Sequence, residues 1–162
     1  MHQLLPLPEG PKSVVYAALA RHAEALFEGE SDKIANAANL CALLYHGLPG
    51  LNWAGFYFLK GKQLVVGPFQ GKLACVRIAL GRGVCGNAAQ LRRTLVVADV
   101  SAFHDHIYCD PDSRSEIVMP LVKDEKLVGV LDIDAPTLER FDDHDKRGLE
   151  TIAAIWLRSF NR

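Results

Sequence analysis

Trp53-Ala54-Gly55-Phe56-Tyr57-Phe58-Leu59, followed across Lys60-Gly61-Lys62 by Leu64-Val65-Val66-Gly67-Pro68-Phe69, marks a change of hydrophobic period in the chain. Before it, apolar residues recur at helical spacing. Here they run on continuously, rich in aromatic and β-branched residues and bounded by glycine turns, which reads as strands. On the first strand Trp53, Gly55 and Tyr57 fall on one face, and Ala54, Phe56 and Phe58 on the other. One aromatic set belongs to a core. The other can form an apolar wall for a small ligand, with Gly55 leaving room between the rings.

Toward the amino terminus, Pro11 suits a first helical turn, and Val15, Ala18, Leu19, Ala23 and Leu26 follow at helical spacing until Gly29. Ser31 or Asp32 can cap a second helix, whose apolar side includes Ile34, Ala38, Cys41, Leu44 and Tyr45, ended by Gly47, Pro49 and Gly50. Toward the carboxyl terminus, Val76–Leu80 and Leu95–Val100 read as strands. The glycine-rich loop 81–86 between them opens a short helix through Leu91. Ile117–Val122 pairs with Leu127–Ile133 across Lys123-Asp124-Glu125-Lys126 as a hairpin. Phe141 and Asp142-Asp143 begin a last helix to Phe160, with Leu149, Ile152, Ala153, Ile155 and Trp156 available for packing. The expected class is α+β: two helices, a largely antiparallel sheet of about six strands and a closing helix. With 162 residues the chain reads as one domain, 1–162.

Composition narrows the function. Hydrophobic content of 49% and charged content of 23% are those of a globular protein. A net charge of −1 gives no electrostatic footprint for nucleic acid or an anionic membrane. Met1–Pro11 lacks a basic stretch followed by an apolar one, and no run approaches the ~18 apolar residues of a membrane span. A cytoplasmic location is the default expectation. There Cys41, Cys75, Cys85 and Cys109 should be thiols, and a disulfide would be transient, catalytic or redox-sensing.

The polar stretch His104-Asp105-His106-Ile107-Tyr108-Cys109-Asp110, running on to Ser113-Arg114-Ser115-Glu116, concentrates reactive groups between two strands. Cys41 reads as a small buried hydrophobe. Cys75 stands where a turn enters a strand, Cys85 in the glycine-rich loop and Cys109 in the polar stretch. No Cys-x-x-Cys or His-x-x-x-His spacing occurs, so no metal and no cofactor are expected, and His104 and His106 read more simply as solvated. Thiol redox chemistry needs an activated thiolate and a second cysteine within reach. His104, His106 and Arg114 are candidate sources of positive charge for Cys109, but spacing does not say which thiols are close in space. Asp132 and Asp134 flank Ile133 on a strand and project to the same side, while Glu116 opens the partner strand. Plain solvation at a strand end is the simpler reading of this trio. If they share a pocket, repulsion and desolvation keep at least one protonated near neutrality. Two glycine-rich stretches, 67–71 read as a turn and 81–86 read as a loop, can offer backbone amides to an anion.

Order adds what single motifs lack. Phe56-Tyr57, Gly67-Pro68-Phe69-Gln70-Gly71, Leu73-Ala74-Cys75, Arg77-Ile78 and Gly81-Arg82-Gly83-Val84-Cys85-Gly86 come in sequence. Asp99-Val100, Asp105-His106-Ile107 with Cys109, Ser113-Arg114-Ser115-Glu116-Ile117-Val118 and Gly129-Val130-Leu131-Asp132-Ile133-Asp134 complete the set. From Trp53 to Phe141 this closely resembles the free methionine-(R)-sulfoxide reductases, small enzymes of the GAF fold. The resemblance implies reduction of free methionine-(R)-sulfoxide to methionine, with thioredoxin as reductant. It implies Cys109 as nucleophile, Cys75 as resolving cysteine and Cys85 as an auxiliary thiol of less settled role. Glu116, Asp132 and Asp134 would be pocket carboxylates, and Trp53 and Tyr57 part of the substrate cage. Such a fold is compatible with a homodimer. The alternative is a non-catalytic GAF module that binds a small effector, which would need no ordered thiols and would ordinarily carry a signalling domain for which 162 residues leave no room.

Overall fold

A computed structural model describes residues 6–161; Met1–Leu5, part of the stretch read for a leader, lie outside the described residues. Helices α1 (Lys12–Phe27) and α2 (Lys33–Gly47) precede strands β1 (Trp53–Lys60), β2 (Gln63–Gly71) and β3 (Arg77–Ala79). Helix α3 (Gly83–Leu91), β4 (Leu95–Val97), a 3-10 turn (Val100–Ala102), β5 (Ser115–Lys123), β6 (Lys126–Ala135) and α4 (Asp143–Arg158) follow. The six strands form one sheet in the order β3-β2-β1-β6-β5-β4, every neighbouring pair antiparallel. The α+β expectation holds.

Alternation along the central strands divides the interior in two. Ala54, Phe56 and Phe58 of β1, Ile117, Met119 and Leu121 of β5 and Leu131, Ile133 and Ala135 of β6 pack against α2 and α4, with α1 across those helices. Trp156 is fully buried there, tilted on Phe56 at 4.7 Å between ring centres, and its indole N–H donates to Lys33 O. The other face carries Trp53, Tyr57, Val118 and Val130 beneath α3. With both faces covered, the strands read as near-continuous apolar runs, and the few polar residues among them stand out.

The helix ends follow local chemistry. The Asp32 carboxylate accepts from the N–H groups of Ile34 and Ala35, which selects it over Ser31 as the cap of α2. A capping box between Asp142 and Asp145 opens α4. Asp145, fully buried, also accepts from Tyr16 Oη at 2.7 Å, Lys12 Nζ at 2.5 Å and Arg140 Nη1 at 3.3 Å, tying α1 to α4. A buried carboxylate is tolerated because each oxygen has donors.

Four sequence expectations need correction. Ile34 and Ala38 face solvent; α2 buries Ala37, Leu40, Cys41 and Leu44, a face turned by one position. The stretch Gly67–Gly71 is strand and not turn: β2 runs to Gly71, with a bulge at Gly67-Pro68 where the register shifts opposite Phe56. Proline lacks the ladder N–H, and a bulge accommodates it. Leu95–Val100 is strand only to Val97, because the Asp99 carboxylate takes the N–H and O–H of Ser101 and starts the 3-10 turn. Cys85 lies in the first turn of α3, beyond the loop proper.

Gly129 lets β6 pass close against β1. A Cβ built there would stand 2.0 Å from Tyr57 O, a backbone atom that moves only with the strand. Gly129→Ala should therefore lower stability by about 1–3 kcal/mol or more through overpacking, measured as a reduced denaturant midpoint at unchanged m-value.

Candidate active site

Strand register assembles the acids. Glu116 of β5 lies directly opposite Asp134 of β6, and Val118 opposite Asp132. On the other side of β6, Asp134 faces Trp53 and Asp132 faces Gly55. Three carboxylates and an indole thus meet on one face because the pairing is in this register; a slip by one residue would send them to the opposite face. Gly55 has a different reason from the one expected. A Cβ there would lie 2.4 Å from both Phe69 Cβ and the Trp53 ring, so the glycine makes room for the indole itself. Trp53 stacks on Tyr57 and Phe69 at 5.7 and 5.2 Å between centres.

Above this floor lies a narrow, partly open cavity. Its lining includes Trp53, Tyr57, Cys85, His106, Cys109, Glu116, Asp132 and Asp134. Cys75 and Cys109 are joined by a disulfide, with Cα atoms 5.3 Å apart. Cys41 and Cys85 are free and buried, Cys41 in the helix-side core and Cys85 on the cavity side. The thiol pairing that spacing left open is therefore 75 with 109.

The polar stretch is pinned at both ends. Asp110, buried, accepts from Asn52 Nδ2 at 3.1 Å and from the N–H of Asp112 at 2.9 Å, while Asn52 Nδ2 also donates to Ser113 Oγ. The N–H of Arg114 donates to Ala135 O at 2.8 Å. At the near end Asp105 takes a bidentate ion pair from Arg82, and Gly83 lies beneath Ile107. Asp110-Pro111-Asp112-Ser113 carries a turn signal, Asp then Pro, from which the anchoring role of Asp110 was readable.

Burial sets the electrostatics. It is the first cause raising the pKa of Glu116, Asp132 and Asp134 well above the ordinary carboxylate range. Next come their neighbours: Asp134 on Glu116, Glu116 on Asp132, Asp132 and then Asp110 on Asp134. The same burial, followed by the charges of Asp132 and Glu116, pushes the Cys85 thiol up. Cys85 Sγ is 3.9 Å from Glu116 Oε1. Burial also raises Tyr57, which stays a phenol.

His106 is the residue whose role spacing misread. Its ring is buried, Nε2 lies 3.3 Å from Glu116 Oε2, and burial lowers its pKa, so at neutral pH it is an uncharged partner of the acid. It is not a source of positive charge for Cys109. His104 and Arg114 have exposed side chains and do not line the cavity. Nor do the glycine amides of 81–86 wait for an anion: Gly81 N donates to Gly86 O, Gly86 N to Arg82 O, and Asp105 takes Gly83 N–H. Three buried polar atoms have no hydrogen-bond partner among the described residues: Asn52 Oδ1, His106 Nδ1 and Asp132 Oδ1. The arrangement can hold a small polar molecule against acid groups, with thiols at the cavity wall.

The raised carboxylates carry a stability consequence. A carboxyl whose folded pKa exceeds its unfolded value favours folding below the unfolded pKa, and that contribution is lost as pH rises through the folded value. Stability should fall from the acid side, where the unfolded groups titrate near 3.8–4.5, toward neutrality and above. Asp132→Asn removes one such group. Its melting temperature should exceed that of the parent at neutral and alkaline pH and converge with it at acid pH, as read by calorimetry.

The relatives agree with this geometry. A family model described as GAF domain matches residues 22–155. A free methionine-R-sulfoxide reductase of Escherichia coli (strain K12) is 50% identical over 143 residues, covering 88% of this chain and 87% of that one. A protein of the same name from Saccharomyces cerevisiae is 42% identical over 140 residues, 82% of this chain and 78% of that one. Among solved structures, the X-ray structure of the free methionine-R-sulfoxide reductase from Neisseria meningitidis, in complex with its substrate, superposes with a TM-score of 0.94 at 42% identity. It covers 99% of this chain and 96% of that one. With this sheet, this cavity and relatives of this similarity along nearly its whole length, the chain belongs to the GAF domain family and, within it, to the free methionine-R-sulfoxide reductases.

Proposed function

We propose that this chain reduces free methionine-(R)-sulfoxide to methionine through Cys109 and Cys75, with thioredoxin restoring the dithiol. The observation that carries the reading is the Cys75–Cys109 disulfide at the wall of a cavity floored by Glu116, Asp132 and Asp134. A sulfoxide oxygen leaves only when protonated or strongly hydrogen-bonded, so attack at sulfur needs an acid aimed at that oxygen. Carboxyls held protonated by burial meet that need.

In the reduced enzyme the Cys109 thiolate attacks the substrate sulfur while a protonated member of the trio donates to the oxygen. The oxygen passes to the Cys109 sulfur as the substrate S–O bond and the transient sulfur–sulfur bond break, so methionine departs reduced by two electrons and Cys109 is left as a sulfenic acid. The Cys75 thiol then attacks that sulfur, forming the disulfide and releasing water. A dithiol reductant exchanges with the disulfide and closes the cycle. Leu73, Val76 and Tyr108, all within two positions of the two cysteines, are exposed, with Leu73 at 88%, an apolar rim suited to a protein reductant. A remaining carboxylate holds the substrate ammonium and backbone amides near Cys75 its carboxylate, which would favour the free amino acid over a residue within a protein. Trp53 and Tyr57 form the apolar wall for the methyl and methylene groups. Cys85, against Glu116, belongs with the acid cluster more than with a second disulfide. A reducing, cytoplasmic setting suits this chemistry.

The test is a thioredoxin-coupled assay comparing both free sulfoxide epimers with a peptide-bound one. Turnover of the free R epimer alone is expected. Cys109→Ser should lose turnover, by several orders of magnitude. Cys75→Ser should release about one methionine per active site and then stop. Full turnover by Cys109→Ser would overturn the assignment. Tight binding of a nucleotide without sulfoxide reduction would favour the non-catalytic module instead.

A further inference from the structure

Cys85, Glu116 and Asp132 are far apart in sequence and share no metal-binding spacing, yet the fold gathers them. One donor atom from each, Sγ and two carboxylate oxygens, lie within 4.8 Å of one another, and all three residues are buried. Asp132 Oδ1 is buried and without a hydrogen-bond partner, on the wall of the same cavity. Two buried acids packed around a thiol, with one oxygen unmatched and no lysine or arginine paired to them among the described residues, form a site open to a cation.

We propose that Cys85 Sγ, Glu116 and Asp132 form a binding site for one zinc-like divalent cation, and that its occupancy shuts the cavity to substrate. The donor set selects the cation. One thiolate with two carboxylates suits a borderline-soft ion that takes few ligands, whereas calcium and magnesium demand more oxygens. Three protein ligands leave a fourth position open to water, as zinc accepts. Bonds of about 2.3 Å to sulfur and about 2.0–2.2 Å to oxygen need donors roughly 3.5 Å apart, so side-chain closure of about an ångström completes the site. His106 Nε2, 3.3 Å from the other oxygen of Glu116, is placed to orient that ligand from behind. Binding expels the Cys85 proton and any proton held by the two carboxyls to solvent, with no change of oxidation state.

The site does not require Cys75 or Cys109, which are tied up with each other in this structure. The inhibitory part rests on the function proposed above, since Glu116 and Asp132 belong there to the acid trio that meets the substrate. The binding part does not.

The experiment uses the oxidised protein, whose disulfide removes the other cavity thiols from competition. Titration with cadmium chloride should produce a near-ultraviolet sulfur-to-cadmium charge-transfer band that saturates at about one ion per chain, and zinc chloride should displace it. Cys85→Ser should abolish the band. Asp132→Asn should keep the band and weaken affinity by about tenfold or more. Cys41→Ser, on the far side of the sheet, should match the parent. In the reduced enzyme, zinc should raise the apparent KM for the sulfoxide and leave kcat unchanged. No saturable band in the oxidised parent, or one that survives in Cys85→Ser, would overturn the site. A band that meets every expectation in a protein without sulfoxide turnover would support the cation site and sink the proposed reaction instead.

Discussion

The register that sets Glu116 across from Asp134, with Asp132 one pleat away and Trp53 on the neighbouring strand, is the constraint on which the rest depends. Three carboxylates in one desolvated patch repel one another and lose hydration, which no isolated strand would tolerate. They stay together because β1, β5 and β6 are held from behind by the aromatic and aliphatic core. The same alternation that sends Phe56, Ile117 and Ile133 into that core sends the acids to the other face. The candidate site thus lies on the opposite face of the sheet from the stabilising layer.

That division explains how the molecule carries a destabilising site. The helix-side core is apolar, and its buried carboxylate, Asp145, is matched by donors from Lys12, Tyr16, Arg140 and the backbone. The cavity side has the opposite character. Among the described residues no lysine or arginine pairs with Glu116, Asp132 or Asp134, Asp132 Oδ1 and His106 Nδ1 are unmatched, and His106 faces Glu116 as a neutral ring. Groups left unsatisfied in a packed protein mark where a ligand is meant to supply the missing partners. The polar segment bearing Cys109 is fastened by Asp110, Ser113 and Arg82 at its ends, which limits where its sulfur can go.

Much of this was legible in the residues alone. The aromatic alternation at Trp53–Phe58 and the period-two spacing of Asp132 and Asp134 gave faces correctly, because strand periodicity is rigid. The α2 face was off by one position, since its Ala and Leu residues leave the helical phase poorly marked and Ile34 is simply an exposed apolar residue. The bulge at Gly67-Pro68 and the early end of β4 depended on local chemistry, a missing N–H and an Asp99 cap, that overrode hydrophobic runs. His106 was misjudged for a different reason: proximity in sequence to Cys109 suggested a partner, whereas the turn of the polar stretch into β5 brings its ring to Glu116, ten positions on. The gathering of Cys85 with Glu116 and Asp132 is likewise a product of tertiary structure, invisible to spacing rules.

The proposed reaction requires a carboxyl proton kept in the cavity at neutral pH for use against a substrate oxygen. Infrared difference spectroscopy of the oxidised protein, titrated from acid to alkaline pH, tests it most directly. The account predicts a protonated-carboxyl C=O band that survives to neutrality and is lost or reduced in Asp132→Asn. Complete disappearance of that band within the ordinary carboxylate range, with all three acids ionised at neutral pH, would contradict it.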